Sequence, residues 1–315
     1  MPELPEVETV RIGLARLLPG RSVAAVNFDW PKSFPNAPED VRHFLVGAEV
    51  TAVRRRAKVL IIDLSSNYSL VIHLKMTGQL VFDGGGQLEP GLRFGAGHPN
   101  DSLIGALPDK STRVTLTFTD DGRLFFNDQR KFGWMRLLPT PEIVNLDFFQ
   151  KVGPEPLAAD FTWEALRDRL HRRPNSNIKA VLLDQTVIAG IGNIYADESL
   201  WGAKVHPSTL VKSLTPEQFH KLYEELIFVL ELAIEKGGST DRNYVNAEGK
   251  RGSYLTFARV FRREGQPCHR CGTIIVKIRV AGRGTHLCPH CQKLKLVRPK
   301  ATTPVIKRQP KVIQG

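Results

Sequence analysis

At 315 residues, with 42% hydrophobic and 24% charged side chains, the chain is long enough for about two buried cores and a small extra module. No apolar run approaches the roughly 18 residues that would span a bilayer, and Glu3, Glu6 and Glu8 stand where a secretory leader needs basic and then apolar residues, so neither a membrane nor an exported protein is expected, and the cytoplasm is. The net charge of +12 is concentrated: residues 250–315 carry 16 Lys and Arg against Glu264 alone, +15 in all, which leaves −3 on the first 249. That patch calls for a polyanion, and with no amphipathic helix there to enter a lipid surface, nucleic acid is the better partner and a membrane is not expected.

Val7, Val10, Leu14, Leu17 and Leu18 share one helical face, so a helix is expected from about Pro5 until Pro19-Gly20 stops it. Residues 21–138 read as strands, with β-branched and aromatic runs at 50–64, 68–74, 113–118 and 123–126 between turn signals such as Asp121-Gly122, which suggests a β-sandwich or barrel. Residues 84–110 are rich in glycine, proline and polar side chains and too long for a turn, so an exposed insertion is expected there. After Pro139 the period becomes helical, at 161–172, 178–183 and 194–201. The longest helix opens on Thr215-Pro216-Glu217-Gln218, a capping box, and ends at Gly237-Gly238. A polar loop over 239–253 follows, with the composition of a segment that moves until something binds.

All four cysteines fall in Cys268-x2-Cys271-x16-Cys288-x2-Cys291, the paired knuckles that wrap one tetrahedral zinc. Two local disulfides and an iron-sulfur site are the competing readings; a reducing compartment disfavours the first. Residues 293–315, with seven basic side chains, no acid and three prolines, read as a disordered tail.

Met1-Pro2-Glu3 has an ordinary reading as a proline-bearing entry to a helix. It also has a chemical one. A small second residue lets Met1 be removed, exposing a secondary amine at Pro2, and an α-amino group is far less basic than lysine and so more available as a nucleophile near neutrality. A helix N-terminus just beyond it disfavours a further positive charge. Attack on an anomeric carbon would give an iminium, with Glu3 as the neighbouring acid if burial raises its pKa. Glu6 either orients the amine or merely complements the helix dipole.

Four separated segments carry a resemblance. Pro2-Glu3-Leu4-Pro5-Glu6, His73-Leu74-Lys75-Met76-Thr77-Gly78, Leu183-Asp184-Gln185 with Gly190-Ile191-Gly192-Asn193-Ile194-Tyr195-Ala196, and Gly282-Arg283-Gly284-Thr285 leading to Cys288-Pro289-His290-Cys291-Gln292 make the chain similar, over nearly its whole length, to the formamidopyrimidine-DNA glycosylase family. The resemblance implies an α+β multidomain protein: an N-terminal β-sandwich with a leading helix (1–138), a helix-two-turn-helix domain (139–265) with a lesion lid at 237–254, a β-hairpin zinc finger (266–292) and the basic tail. It implies a monomeric, bifunctional glycosylase and abasic-site lyase of base excision repair, acting on double-stranded DNA with oxidised purines (8-oxoguanine, formamidopyrimidines) or abasic sites. A Schiff base on the N-terminal proline and β,δ-elimination would cut the strand.

Carried onto this sequence, the resemblance implies catalytic roles for Pro2, Glu3, Lys58 and Arg283, with Glu6 in support. It implies DNA contacts from Met76, His98, Arg130, Phe132, Asn193 and Arg283, lid contacts from Thr240, Arg242 and Tyr254, and one structural zinc on Cys268, Cys271, Cys288 and Cys291. An extruded base leaves a vacancy in the duplex that Met76, Arg130 and Phe132 would fill. On pattern alone, Met76 and Phe132 would be core residues, and Lys58, ending the run Arg54-Arg55-Arg56-Ala57-Lys58, would be one of several charges on a strand face. The turn 190–193 opens a helix whose N–H groups, with the Asn193 amide, could hold a phosphate; a dinucleotide loop is the rival, against it the Tyr195 in the third glycine's place. Arg283, between two glycines, reads as the tip of a hairpin gripping phosphates. Leu4 and the 237–253 segment resemble the purine-specific branch rather than the endonuclease VIII branch, and a non-catalytic zinc-finger DNA binder would have no use for Pro2 and Glu3. Gln129 and Arg262 depart from the family's usual proline and glycine.

Overall fold

A computed structural model describes residues 2–84, 93–98, 101–103, 105–239 and 254–294. The leading helix, α1 (Leu4–Leu17), has Pro5 in its first turn and buries Val7, Val10 and Leu14, the face its apolar spacing predicts. There follow β1 (Val23–Phe28), α2 (Pro38–Phe44), β2 (Val50–Arg56), β3 (Val59–Leu64), β4 (Tyr68–His73), β5 (Gly78–Asp83), β6 (Arg93–Gly97), β7 (Thr112–Phe118), β8 (Arg123–Asp128) and β9 (Trp134–Pro139).

These strands form two antiparallel sheets, ordered β1-β7-β8-β5-β6 and β2-β3-β4-β9. Their inner faces meet through Leu60, Ile62, Leu70 and Ile72 on one side and Leu80, Phe82, Leu124 and Phe126 on the other, and α1 closes one end with Leu14 against the same core. This is the sandwich expected. Two features differ from the sequence reading. The run 50–64 is a hairpin, because Ala57 takes a left-handed φ of 53° and reverses the chain between β2 and β3. The supposed exposed insertion is partly built in: β6 pairs with β5, Phe94 and Ala96 enter the core, and Leu103 and Leu107 cover Val81 and Phe125 on the sheet's outer face. Its apolar residues are too sparse for periodicity to reveal, yet Phe94, Ala96, Leu103 and Leu107 each pack on the sheet.

The helical part comprises α3 (Asp147–Lys151), α4 (Trp163–Leu170), α5 (Ile178–Leu182), α6 (Asn193–Gly202) and α7 (Pro216–Glu235). The capping box is present at Thr215, whose hydroxyl accepts from Gln218 N–H. Leu166, Leu182, Ile191, Tyr195, Leu226 and Val229 form a separate core. β10 (Val276–Val280) and β11 (Arg283–Leu287) make the terminal hairpin. Its own apolar cluster is small: Val260, Cys268, Ile275 and Cys288 around Trp201.

Candidate active site

Between the sandwich and the helical part lies a cavity of about 500 Å³ whose wall includes Pro2, Glu3, Glu6, Lys58, His98 and Arg283. The chain start is held there by the backbone: Leu4 N–H donates to Gly190 O at 3.0 Å. Glu3, only 3% exposed, lays its carboxylate on the N-terminus of α6, accepting from Ile194 N–H at 3.1 Å and Tyr195 N–H at 3.5 Å. The N–H groups that the sequence suggests for a phosphate therefore hold a protein carboxylate. A Cβ on Gly192 would sit 2.2 Å from Glu3 Cδ, and one on Gly190, whose φ is +81°, would sit 2.6 Å from Leu4. Both glycines let the first residues of the chain approach.

Burial pushes the Glu3 carboxyl up to about 7, with Lys58 opposing and Glu6 adding to the rise. Burial likewise lowers the Lys58 ammonium, against the attraction of Glu3 and Glu6; its Nζ donates to Ile191 O at 2.9 Å. The rest of the basic run is spoken for. Arg54 pairs with Asp63, Arg55 with Glu8 and Glu155, and Arg56 with Glu155. Lys58 alone of that run lines the cavity, because the turn at Ala57 aims it inward.

Glu6 does more than complement a dipole. One oxygen accepts from Glu3 N–H at 2.8 Å, and the other from Tyr195 hydroxyl at 2.6 Å and Ser239 N–H at 2.7 Å. It thereby ties the N-terminus to α6 and to the residue where the 240–253 segment begins. His98 lies on the same wall, and burial lowers its imidazole pKa.

On the sandwich rim, Met76 and Phe132 are 39% and 53% exposed, which excludes the core reading for both. They meet through Arg130, whose guanidinium lies 4.9 Å from the Phe132 ring centroid and whose Nη1 is 3.2 Å from Met76 Sδ. Buried Asp128 fixes the loop beneath them, accepting from Gly133 N–H at 2.6 Å, Arg130 N–H at 3.2 Å and the Thr77 hydroxyl. His73 is held neutral, its pKa pushed down to about 3 chiefly by desolvation; its Nδ1 accepts from Lys75 N–H at 3.0 Å and so shapes the turn that presents Met76.

Arg283 is not the tip of its hairpin. The turn is Ala281-Gly282, both at positive φ (49° and 75°), and Arg283 is the first residue of β11, opposite Val280. The hairpin is bolted to α5 and α6. Lys179, fully buried, donates to Asp197 Oδ1 at 2.6 Å, Thr285 Oγ1 at 2.7 Å and Gly284 O at 3.2 Å. Asp197 Oδ2 accepts from His286 N–H at 2.9 Å, and Asn193 Nδ2 donates to Gly284 O at 3.0 Å. Asn193 thus steadies the residue beside Arg283. In the finger, the four cysteine sulfurs lie within 4.8 Å of one another. A tetrahedral Zn–S4 site with bonds of ~2.3 Å has sulfur–sulfur edges of ~3.8 Å, and the 3.5 Å separations of Cys271 from Cys288 and Cys291 fit it.

The sequence matches profiles for the formamidopyrimidine-DNA glycosylase N-terminal domain over residues 1–135, the H2TH domain of the same enzymes over 152–244, and the zinc finger found in FPG and IleRS over 265–294. A formamidopyrimidine-DNA glycosylase from Chloroflexus aurantiacus is 43% identical over 293 residues, covering 93% of this chain and 98% of the relative. This chain belongs to the formamidopyrimidine-DNA glycosylase family. Among solved structures, the Lactococcus lactis Fpg in complex with abasic-site DNA superposes with a TM-score of 0.80 at 35% identity, covering 93% of this chain and 100% of that one; a mutant of the same enzyme, bound to Fapy-dG DNA, gives the same values.

The zinc-finger profile and the clustered sulfurs together assign one structural zinc to Cys268, Cys271, Cys288 and Cys291. Several residues that matter here escape a reading for chemistry. Gln185, seen only as part of a motif, clamps the 190–192 turn: its Nε2 donates to Ile191 O at 2.7 Å and its Oε1 accepts from Gly190 N–H at 3.0 Å. Glu198 and Lys179 give no sequence signal at all, being single charges on helices. Yet Glu198 is fully buried and accepts from Val260 and Phe261 N–H at 2.9 and 2.8 Å. Tyr254 lies away from the cavity wall, buried against Tyr195 with its hydroxyl 3.3 Å from Glu198 Oε2. Thr240, Arg242 and the tail beyond 294 lie outside the described residues. No helix among the described residues is long and apolar enough to cross a membrane.

Proposed function

We propose that this chain excises oxidised purines from double-stranded DNA and then cuts the strand, using the Pro2 amine freed by removal of Met1. The observation that carries the reading is the shared cavity of Pro2 and Glu3, with Glu3 held by burial at a pKa of about 7, so that a proton donor stands beside the nucleophile at neutral pH. Pro2 N attacks C1′ of the damaged nucleotide, forming N–C1′ as the bond to the base breaks, and the base departs with the proton that the proline nitrogen gives up. Glu3 protonates O4′ as C1′–O4′ opens, leaving an iminium between Pro2 and C1′. The iminium acidifies C2′–H; its loss expels the 3′ phosphate, and a second elimination expels the 5′ phosphate. Lys58, at the cavity wall with its ammonium on Ile191 O, sits where it can meet a phosphate of the damaged nucleotide.

Met76, Arg130 and Phe132, already assembled and exposed, would occupy the space left by the extruded base, with the Arg130 guanidinium donating to the orphaned cytosine. Arg283 and Asn193 would hold the backbone beside the lesion. His98 lines the approach, Thr240 and Arg242 belong to the lid over the extruded base, and Tyr254 anchors that lid's end rather than touching the lesion. We divide the chain at 138/139 and 265/266 into catalytic domain, helical domain and zinc module; the separate hydrophobic clusters of the sandwich and of the helices support two main units. We place the protein in the cytoplasm, as a monomer acting on the chromosome.

The test is borohydride reduction during reaction with a duplex containing 8-oxoguanine opposite cytosine. A covalent adduct mapped by mass spectrometry to the peptide beginning at Pro2 is expected. An adduct on a lysine, or none, refutes the assignment.

A further inference from the structure

The backbone of Gly190 and Ile191 serves two parts of the site at once. Gly190 O accepts from Leu4 N–H at 3.0 Å, two residues from the Pro2 amine, and Ile191 O accepts from Lys58 Nζ at 2.9 Å. Both donors come from the sandwich part of the chain, one at the entry to α1 and one at the turn between β2 and β3. This short run of backbone therefore sets where the nucleophile and the lysine stand relative to one another. It has little stiffness of its own, since glycines flank Ile191 and Gly190 holds a φ of 81°.

One side chain stiffens it. Gln185 Oε1 accepts from Gly190 N–H at 3.0 Å, and Gln185 Nε2 donates to Ile191 O at 2.7 Å and to Leu183 O at 3.1 Å. An amide nitrogen carries two protons, and here it has two carbonyl acceptors, so Gln185 lines the cavity with its donors turned into the wall. The support beneath it is fixed as well. Asp184 Oδ1 accepts from Thr186 N–H at 3.0 Å, Asp184 Oδ2 pairs with Arg173 at 2.8 Å, and Gln185 O accepts from Gly153 N–H at 2.8 Å. Ile191 O offers one lone pair to Gln185 and the other to Lys58. Without the amide, that carbonyl can turn on its glycine neighbours and carry Lys58 and the Leu4 anchor with it.

We propose that Gln185 is a positioning residue for the reaction: its amide fixes the Gly190-Ile191 backbone and thereby the register between the Pro2 amine and the Lys58 ammonium. It acts through those two groups and leaves the DNA to others. Misplacing a reacting group by about 1 Å costs on the order of 100-fold in rate, so the effect of Gln185 falls on the chemical step and not on DNA affinity. The proposal rests on the reading of Pro2 as nucleophile given above.

Two variants of the full-length protein test it. Gln185→Met keeps the length of the side chain and removes both hydrogen-bonding ends, whereas Gln185→Glu keeps an acceptor for Gly190 N–H and turns a carboxylate oxygen on Ile191 O. Single-turnover excision from a duplex with 8-oxoguanine opposite cytosine is followed at saturating enzyme, where inactive molecules do not alter the rate constant, and the Kd for a duplex carrying a tetrahydrofuran abasic analogue is measured beside it. Both variants should lose about 30-fold in the rate constant, with Kd within about threefold of the unsubstituted protein. The rate of forming the borohydride-trapped adduct should fall by the same factor. A near-normal rate constant in either variant overturns the proposal, and so does a loss that appears in Kd instead, as a direct contact with DNA would give. Trapping on the unsubstituted protein separates the two readings: no adduct at Pro2 refutes the chemistry there, whereas an adduct at Pro2 with an unaltered Gln185→Met rate refutes only the role of Gln185.

Discussion

Replacing Glu3 by Gln removes one proton-binding group while keeping an acceptor for Ile194 N–H. In the folded protein the Glu3 pKa is about 7 against 4.5 for an exposed carboxyl. The folded state thus binds this proton more tightly than the unfolded chain does. Its contribution is fully present below pH 4.5 and is lost as pH rises through 7, in total about 3 kcal/mol for a shift of ~2.5 units at 1.36 kcal/mol each. Glu3→Gln cannot lose it. Thermal unfolding should therefore find the two proteins within about 2 °C of one another at pH 5, with the variant roughly 6 °C more stable at pH 8. Catalysis should move the other way. Single-turnover excision by the unsubstituted protein should fall about tenfold per pH unit above 7, whereas Glu3→Gln should be at least ~100-fold slower at pH 7. A difference in Tm that is the same at pH 5 and pH 8, or an excision profile with no bend near neutrality, would show that burial does not set the Glu3 proton as argued.

Gly192→Ala places a methyl 2.2 Å from Glu3 Cδ, so the carboxylate must leave the α6 N-terminus; excision should drop by about 100-fold with DNA affinity within about threefold, and normal excision kinetics would contradict this. Lys179→Ala leaves Asp197 Oδ1 buried without its ammonium, a loss of about 3–5 kcal/mol. Hydrogen exchange over 276–287 should quicken markedly and the DNA affinity fall, whereas unaltered exchange would mean the hairpin is held by other contacts. Zinc removal by a chelator should abolish DNA binding while leaving the near-ultraviolet signal of the two larger cores, since the finger's cluster shares Trp201 with the helical part but contributes nothing to either core. Retained binding after verified metal loss would refute a folding role for the metal.

Elements with local signals were legible in the chain alone. Apolar periodicity placed α1 and α7, the capping box fixed where α7 begins, and cysteine spacing named the metal, because each depends on residues close together along the chain. The family motifs likewise brought Pro2, Glu3, Lys58 and Arg283 to one cavity. Which charges face that cavity and which are used up elsewhere depends on long-range packing. Arg55, Arg56, Lys179 and Glu198 look no different in sequence from Lys58, yet all four are bound into ion pairs or buried backbone contacts with residues about 18 to 100 positions away. The same holds for the α6 N-terminus, which sequence logic offers to a phosphate and folding gives to Glu3. A charge has no direction until packing supplies its partner, and the cost of burying it unpaired is what makes that choice strict.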